Sequence, residues 1–289
     1  MFGMFGIPGF GMTKKMRDEQ HAREEKEKEE RLLEAVPWDP KIKWTPRMTI
    51  KWNTLPKWSL FDVVPTKHGN PNFEAKPEGK FVLSPSGQFM YCEKQLNRGD
   101  KLLTLQGSKR GTVMFDGPAT FPVLHERSNW EKNQNGTFRW KEEPWMGVTP
   151  MEVMTQRPGT RIAKGHTVIA GLGLGWGLVE VMTKRSVKKV TLVEISQELV
   201  DWLLPRVLAH AKLVHGEKLA PLEVVVGDAK TVLWDLAADV ALIDIFQGYG
   251  SNEFFVHGGG KNFGGKPMNI ETVWCWGAAP VGDGGRGWF

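Results

Sequence analysis

Three glycines separated by single residues, Gly171, Gly173 and Gly175, follow an apolar run that begins at His166. Because glycine has no Cβ, such a turn lets the backbone approach a ligand closely and leaves unpaired N–H groups at the start of the next helix. The spacing therefore indicates a nucleotide-binding turn. A dinucleotide-binding turn would have a further glycine where this chain has Trp176, and the indole would crowd a pyrophosphate.

Carboxylates end the next apolar runs of the sequence. Glu194 stands about 20 residues after the glycine turn, at the distance where a carboxylate can accept hydrogen bonds from both hydroxyls of a ribose. Asp228 and Ala229 follow the third run. There Asp228 could accept from an adenine amino group, while Ala229 would leave room for the ring. Asp244 follows the fourth run.

Strands and helices alternate between these positions. The predicted elements are a strand at 166–171, a helix at 176–184, a strand at 189–196, a helix at 197–213, a strand at 222–229, a short helix at 230–236 and a strand at 239–246. Continuous apolar strands of this kind form parallel sheets covered by helices on both faces. Ligands of such sheets bind beyond the carboxyl ends of the strands, where all the residues named above fall. The fold class is thus α/β and Rossmann-like.

Four motifs in order resemble a known family. GLGLG at 171–175, LVEIS at 192–196, GDA at 227–229 and DVALID at 239–244 resemble the successive motifs of class I S-adenosylmethionine-dependent methyltransferases. The spermidine-synthase-like branch is the most similar, because it also has a small β module before the nucleotide sheet. The resemblance covers roughly the last half of the chain.

The resemblance implies S-adenosylmethionine as cofactor and a role for each matched residue. It places the Gly171 to Gly175 loop near the methionine part, Glu194 on the ribose, Asp228 with Ala229 at the adenine, and Asp244 facing the reacting centre as the candidate catalytic residue. For Asp244 three roles stay open: a base, a contact to the amino group of the cofactor, or a helix cap.

The end of the chain departs from the family pattern. The 45 residues after Asp244 are too few for the usual three further strands and two helices, which need roughly twice that length. We therefore expect a sheet curtailed after its fourth or fifth strand, with 271–276 as the fifth and glycine-rich loops around it. Asp244, Gln247 and Tyr249 would line the acceptor side. No motif identifies the acceptor. Aminopropyl-transfer enzymes have a second acid three residues after the first, and because this chain has Gln247 at that position, the sequence argues against polyamine synthesis.

The whole chain divides into four predicted segments. These are a charged helical segment at 1–36, an extended Trp/Lys/Pro arm at 37–79, a small antiparallel β module at 80–140, and the nucleotide-binding domain at 141–289 with glycine-rich C-terminal loops. Thr13 and Thr149 are suited to cap helices. Gly87, Gly107 and Gly117 are expected at hairpin turns. The alternating tryptophans and basic residues of the arm could bind nucleic acid, or could pack into grooves on this or a neighbouring domain.

Composition narrows the function classes. A net charge of +5 with interleaved acids and bases is weak support for a nucleic-acid partner. Two cysteines and seven scattered histidines predict no metal site, and no apolar run approaches the roughly 20 residues that span a membrane. We expect a cytoplasmic protein. The competing hypothesis is a non-catalytic structural or assembly protein on a degenerate methyltransferase fold, forming a homo-oligomer or joining a partner through its N-terminal arm.

Overall fold

The computed structural model describes residues 13–39, 42–43, 45–67, 80–106, 109–132, 138–140, 145–245, 262–263, 266–267 and 269–276. The helices are α1 (Lys14–Leu33), α2 (Pro150–Ile162), α3 (Trp176–Met182), α4 (Gln197–His215) and α5 (Ala229–Val232). The strands are β1 (Arg47–Ile50), β2 (Thr66–Lys67), β3 (Phe81–Leu83), β4 (Phe89–Leu96), β5 (Lys101–Gln106), β6 (Lys109–Phe115), β7 (Ala119–Lys132), β8 (Phe138–Trp140), β9 (Met146–Gly147), β10 (Gly165–Ala170), β11 (Val187–Glu194), β12 (Leu222–Val226), β13 (Ala237–Ile243), β14 (Asn262–Phe263), β15 (Lys266–Pro267) and β16 (Asn269–Cys275).

In the part of the C-terminal half that the structure describes, five strands form a parallel sheet. Its order is β12-β11-β10-β13-β16, and every neighbouring pair is parallel. The predicted strands and helices are all present, with ends shifted by a few residues, and the fifth strand lies at the edge beside β13. The predicted α/β fold is therefore confirmed. Between β10 and β13 the strand order reverses direction, which is the position where open α/β sheets bind ligands.

The register of the sheet aligns the ends of its strands. Ala170 pairs with Val193 on one side and with Ile243 on the other, so that β10, β11 and β13 end at the same level. The apolar residues of β10, β11 and β13 are mostly buried because helices cover both faces, whereas those of the edge strand β12 are partly exposed. Leu178 of α3 and Leu203 of α4 belong to one core cluster, and Ala229 of α5 to another. The residues just after each strand are consequently brought to one edge.

Antiparallel strands precede this sheet, as the sequence predicts. β4 pairs with β3 and β7, and β5 pairs with β6. Gly87, with φ of 73°, turns the β3–β4 hairpin. The expectation for Gly117 is wrong, because β6 and β7 belong to different sheets and Gly117 connects them without a hairpin. Gly107 lies outside the described residues.

Part of the predicted arm joins the β module. β1 pairs in parallel with β6, with Arg47 opposite Thr112, and β2 pairs in parallel with β4. Trp38 and Trp58 pack against buried clusters of the same chain. These contacts correspond to the interpretation in which the arm lies in grooves on its own chain. Strand pairing is possible because the arm is extended between its prolines.

The helix α1 projects from the module. Thr13 caps it, because its Oγ1 accepts a hydrogen bond from the backbone N–H of Met16 at 3.3 Å. All its side chains are exposed except Lys28, Arg31 and Leu32. Near the end of α1, Glu29 binds the guanidinium of Arg98 through two hydrogen bonds of 2.8 and 2.7 Å. Among the described helices, none has the length and apolar character needed to cross a membrane.

Candidate functional site

A cavity of about 370 Å³ opens at the carboxyl edge of the parallel sheet. The residues that line it come from the ends of neighbouring strands, from α2 and from the segment before α2: Trp145, Met146, Gly147, Glu152, Gly171, Gly173, Val193, Glu194, Ile195, Gly227, Asp228, Ala229, Lys230, Asp244, Ile245 and Trp276. Six of the seven predicted site residues are thereby brought together. Gly175 is the exception, because it is buried against Val207 of α4 and does not line this cavity.

The glycine turn owes its residue types to close packing. Gly171 has φ of 96°, and a Cβ there would overlap the carbonyl oxygen of Asp244. Gly175, at the start of α3, would meet Val207 of α4 in the same way. Only Gly171 and Gly173 of the three border the cavity. The turn therefore holds β10, β13 and α4 together as well as forming the cavity wall.

Glu194 fixes the glycine turn from the neighbouring strand. Its side chain is only 3% exposed. Oε2 accepts from the backbone N–H of Leu172 at 2.7 Å, and Oε1 accepts from the backbone N–H of Ser196 at 2.9 Å. Each carboxylate oxygen has two lone pairs, so that each can still accept from a ligand hydroxyl. The ribose contact of Glu194 stays a prediction.

Asp228 and Ala229 stand at the far end of the cavity. Asp228 Oδ1 accepts from the backbone N–H of Lys230 at 2.9 Å and so caps α5. Ala229 is buried and lines the cavity next to Asp228. Asp228 thus has a structural role beside its predicted contact with adenine.

Asp244 is paired with a carboxyl group that the sequence analysis did not select. The side-chain amide of Gln156 donates one hydrogen bond to Asp244 Oδ2 and another to Glu152 Oε1, both at 2.8 Å. Glu152 and Gln156 lie one turn apart on α2, and both carboxyl groups line the cavity. We call these three residues the carboxyl pair and its amide bridge.

Burial controls the charge of this pair. Loss of hydration raises the pKa of Asp244 to about 7, against a smaller lowering by the hydrogen bond from Gln156. Loss of hydration and the neighbouring charge of Asp244 raise the pKa of Glu152 to about 8. Near neutral pH the pair therefore holds at least part of a proton, and it can accept one from a bound group. Within the described residues, no group of three or more His, Cys, Asp or Glu side chains is arranged to hold a metal ion.

A sequence signal for Glu152 exists, but it has a structural explanation. Thr149, Pro150 and Glu152 form the Thr-x-x-Glu pattern of a helix start, and Thr149 Oγ1 does accept from the N–H of Glu152 at 3.2 Å. Its place in the site depends on α2 packing across the end of β13, which a local pattern does not encode. Gln247 and Tyr249, predicted on the acceptor side, lie outside the described residues.

Two side chains from segments that precede α2 reach the glycine turn. Met146 Sδ accepts from the backbone N–H of Leu174 at 2.8 Å. Trp58 Nε1 donates to the carbonyl oxygen of Leu174 at 3.1 Å. The peptide groups on both sides of Leu174 are thus held by β9 and by the arm.

No protein-family model matches this chain, and no curated protein matches it. A dimethyladenosine transferase from Plasmodium falciparum aligns at 21% identity over 38% of this chain and 36% of its own, with a TM-score of 0.29. A spermidine synthase from Thermotoga maritima aligns at 14% identity over 61% and 56%, with a TM-score of 0.31. An S-adenosylmethionine-dependent methyltransferase from Thiobacillus denitrificans, solved with S-adenosyl-L-homocysteine, aligns at 20% identity over 37% and 38%, with a TM-score of 0.25. Each alignment covers less than two thirds of the solved chain, and each TM-score is low. The description of the fold therefore rests on the strand order of this protein's own sheet.

Proposed function

We propose that this protein binds S-adenosylmethionine across the carboxyl edge of its parallel sheet and transfers the methyl group to an acceptor. The observation that carries the proposal is the convergence of the glycine turn, Glu194, Asp228 and Asp244 on one cavity. Asp228 and Asp244 follow strands three places apart in the sheet, or about 14 Å at ordinary strand spacing. A cavity of that span suits an extended nucleoside with a tail.

The charge of the cavity wall fits this cofactor better than a phosphate-bearing one. Among the described lining residues, four carry carboxyl groups, namely Glu152, Glu194, Asp228 and Asp244, and one carries an amine, Lys230. Carboxyl groups outnumber the amine even though Glu152 and Asp244 are partly protonated near neutral pH, and such a wall repels a pyrophosphate and attracts a cation. A sulfonium cofactor, which has a net positive charge and no phosphate, therefore suits the site, whereas NAD does not.

The proposed contacts run along the edge of the sheet. Ala229 and Asp228 would hold the adenine, Glu194 the ribose, and Gly171 with Gly173 the methionine part. When bound, the cofactor supplies a methyl group on a positively charged sulfur. The carboxyl pair of Asp244 and Glu152 would orient the acceptor and take up the proton that it loses, while the enclosing side chains exclude water.

Calorimetry of the purified full chain tests the proposal. We expect S-adenosylmethionine and S-adenosylhomocysteine to release heat on binding and to raise the melting temperature, while NAD does neither. Glu194→Ala should weaken both ligands. Absence of binding at millimolar concentrations of either adenosyl ligand would remove the proposal. We also propose that the protein is cytoplasmic, as inferred from the sequence, and cell fractionation tests this location separately.

A second candidate function, assembly on a non-catalytic methyltransferase-like scaffold, is favoured by α1. This 20-residue helix is exposed over most of its length and is held near its end by Glu29 and Arg31. We propose it as the segment that docks on a second copy or another protein. Light scattering of the full chain beside a chain that begins at residue 35 tests this, because a monomer in both cases would exclude self-association through α1.

A further inference from the structure

The thioether of Met146 covers the cavity-facing side of the glycine turn. A Cβ on Gly173 would overlap Met146 Sδ, and the same sulfur accepts the hydrogen bond from Leu174 N–H at 2.8 Å. Gly173 has φ of 52°. The glycine therefore opens the turn toward a thioether, and in this structure the chain's own methionine fills that position.

Met146 also borders two neighbouring cavities. The larger, of about 370 Å³, extends toward Glu194 and Asp228. The smaller, of about 50 Å³, follows the turn from Gly171 to Gly175. Both are lined by Met146, Gly173 and Asp244. The side chain of Met146 thus stands where the nucleoside end of the cavity meets the space along the turn.

We propose that Met146 is a gate that determines how much of an adenosyl ligand the site accepts, and that its side chain must leave Gly173 before the sulfur-bearing tail can bind. The inference rests on the proposed function, since it concerns the same site. With the gate in place the site accepts a bare nucleoside. With the gate displaced, the tail lies along the turn and must offer an acceptor to Leu174 N–H.

The gate moves as a side chain and not as a strand. The backbone around Met146 is tied to β7, because Trp145 N–H donates to Leu124 O at 2.7 Å and Val148 N–H donates to Pro122 O at 3.1 Å. The unbranched methionine side chain has three rotatable bonds and can leave the turn by changing rotamer. Strand β9 therefore serves as a fixed support.

The need to displace Met146 lowers the apparent affinity of the protein for an adenosyl ligand that has a tail. The free protein keeps Met146 on the turn, and only the fraction with the side chain away is competent for the tail. Displacement breaks the hydrogen bond from Leu174 N–H to the sulfur of Met146. The loss of one such bond corresponds to a roughly threefold to tenfold weaker binding of the tailed ligand. Adenosine, which has no tail, does not require the movement.

The test compares adenosine with S-adenosylhomocysteine on full-length protein by calorimetry. We expect Met146→Ala to bind S-adenosylhomocysteine with a roughly threefold to tenfold lower Kd and adenosine with an unchanged Kd. Met154→Ala is the matched control: it removes the same side chain from α2, borders neither cavity, and should change neither Kd. Circular dichroism verifies that each variant folds.

The possible results distinguish a failure of the gate from a failure of the proposed function. If the variant binds S-adenosylhomocysteine no more tightly than the wild type, or gains equally for adenosine, the gate is refuted and the proposed function stands. If neither protein binds either ligand, the proposed function fails and the gate with it. As a measurement on the unchanged protein, the 13C-methyl resonance of Met146, assigned with Met146→Ala, should shift with S-adenosylhomocysteine more than with adenosine; equal shifts would also refute the gate.

Discussion

The Glu194 carboxylate accepts a hydrogen bond from the backbone N–H of Leu172, with 2.7 Å between Oε2 and N. This contact joins the end of β11 to the glycine turn after β10, and the other oxygen of Glu194 holds the N–H of Ser196. A single buried carboxylate therefore sets the position of the turn and the start of α4. The geometry of Glu194 therefore determines whether the wall of the cavity is already formed before a ligand binds.

Replacement of Glu194 by Gln should destabilise the protein. The amide nitrogen of glutamine cannot accept, so that one of the two buried backbone N–H groups loses its partner, at a cost of about 1–3 kcal/mol. Denaturant unfolding measures the loss. Glu223→Gln, on the exposed surface of β12, is the control and should have little effect because the side chain of Glu223 is about half exposed and its ion pair with Lys189 lies at the surface. Equal losses in the two variants would contradict the role of Glu194.

The carboxyl pair should make stability depend on pH. Because burial raises the pKa of Asp244 to about 7 and of Glu152 to about 8, the folded state holds protons that the unfolded chain releases at lower pH. This stabilisation is complete below the ordinary carboxyl pKa values and is lost as the pH rises to about 8. We expect the free energy of unfolding to fall over that window.

Glu152→Gln provides the control for this pH dependence. The variant removes one titrating group and keeps the side-chain size, so that the slope should flatten by up to about 1.4 kcal/mol per pH unit. Chemical unfolding at a series of pH values from 5 to about 9 measures it. A slope identical to that of the wild type would show that Glu152 does not hold the proton.

Gly171→Ala should be more damaging than the same change in an open turn. Both Gly171 and Gly87 have positive φ, at 96° and 73°, so that alanine strains the backbone at either position. At Gly171 the new Cβ also overlaps the Asp244 carbonyl, whereas at Gly87 its nearest neighbour is 3.9 Å away. We expect a cost of about 1–2 kcal/mol at Gly87 and distinctly more at Gly171 in thermal unfolding. Equal costs would refute the close packing of β10 on β13.

Trp58→Phe should loosen the glycine turn from outside the nucleotide domain. The change removes the donor to the Leu174 carbonyl oxygen and leaves most of the ring in place, at a cost of about 1 kcal/mol. Trp52→Phe is the matched control, because Trp52 is 45% exposed and lies against Gly117 of the β module. Hydrogen exchange of the turn amides should rise in the first variant only. If both variants exchange alike, the arm does not support the turn.

The sequence predicts the C-terminal sheet well, because its strands are short apolar runs that end in glycine or a carboxylate. Local spacing is enough to place Glu194 and Asp244 at one edge once the strands are parallel. The N-terminal half is less accessible to such reasoning. The four residues of β1 pair with β6 more than 60 positions later, as Arg47 with Thr112, and no local pattern identifies so distant a partner.

The sequence predicts only those residues of the site that follow the end of a strand. Gly171, Glu194, Asp228 and Asp244 follow apolar runs and are visible as such. Glu152 and Met146 enter the cavity through the packing of α2 and β9 on the sheet, and Gln156 bridges the carboxyl pair from α2. Their local sequence suggests only a helix start and a short strand. Tertiary packing, and not residue spacing, brings them to the ligand side.

A crystal structure of the full chain with S-adenosylhomocysteine would show directly where the adenosyl group binds. We expect the ribose hydroxyls to lie within hydrogen-bond distance of the Glu194 carboxylate, with the adenine between Asp228 and Ala229 and the sulfur near Gly173. A ligand bound elsewhere on the chain, or one in the cavity with its ribose away from Glu194, would contradict this expectation.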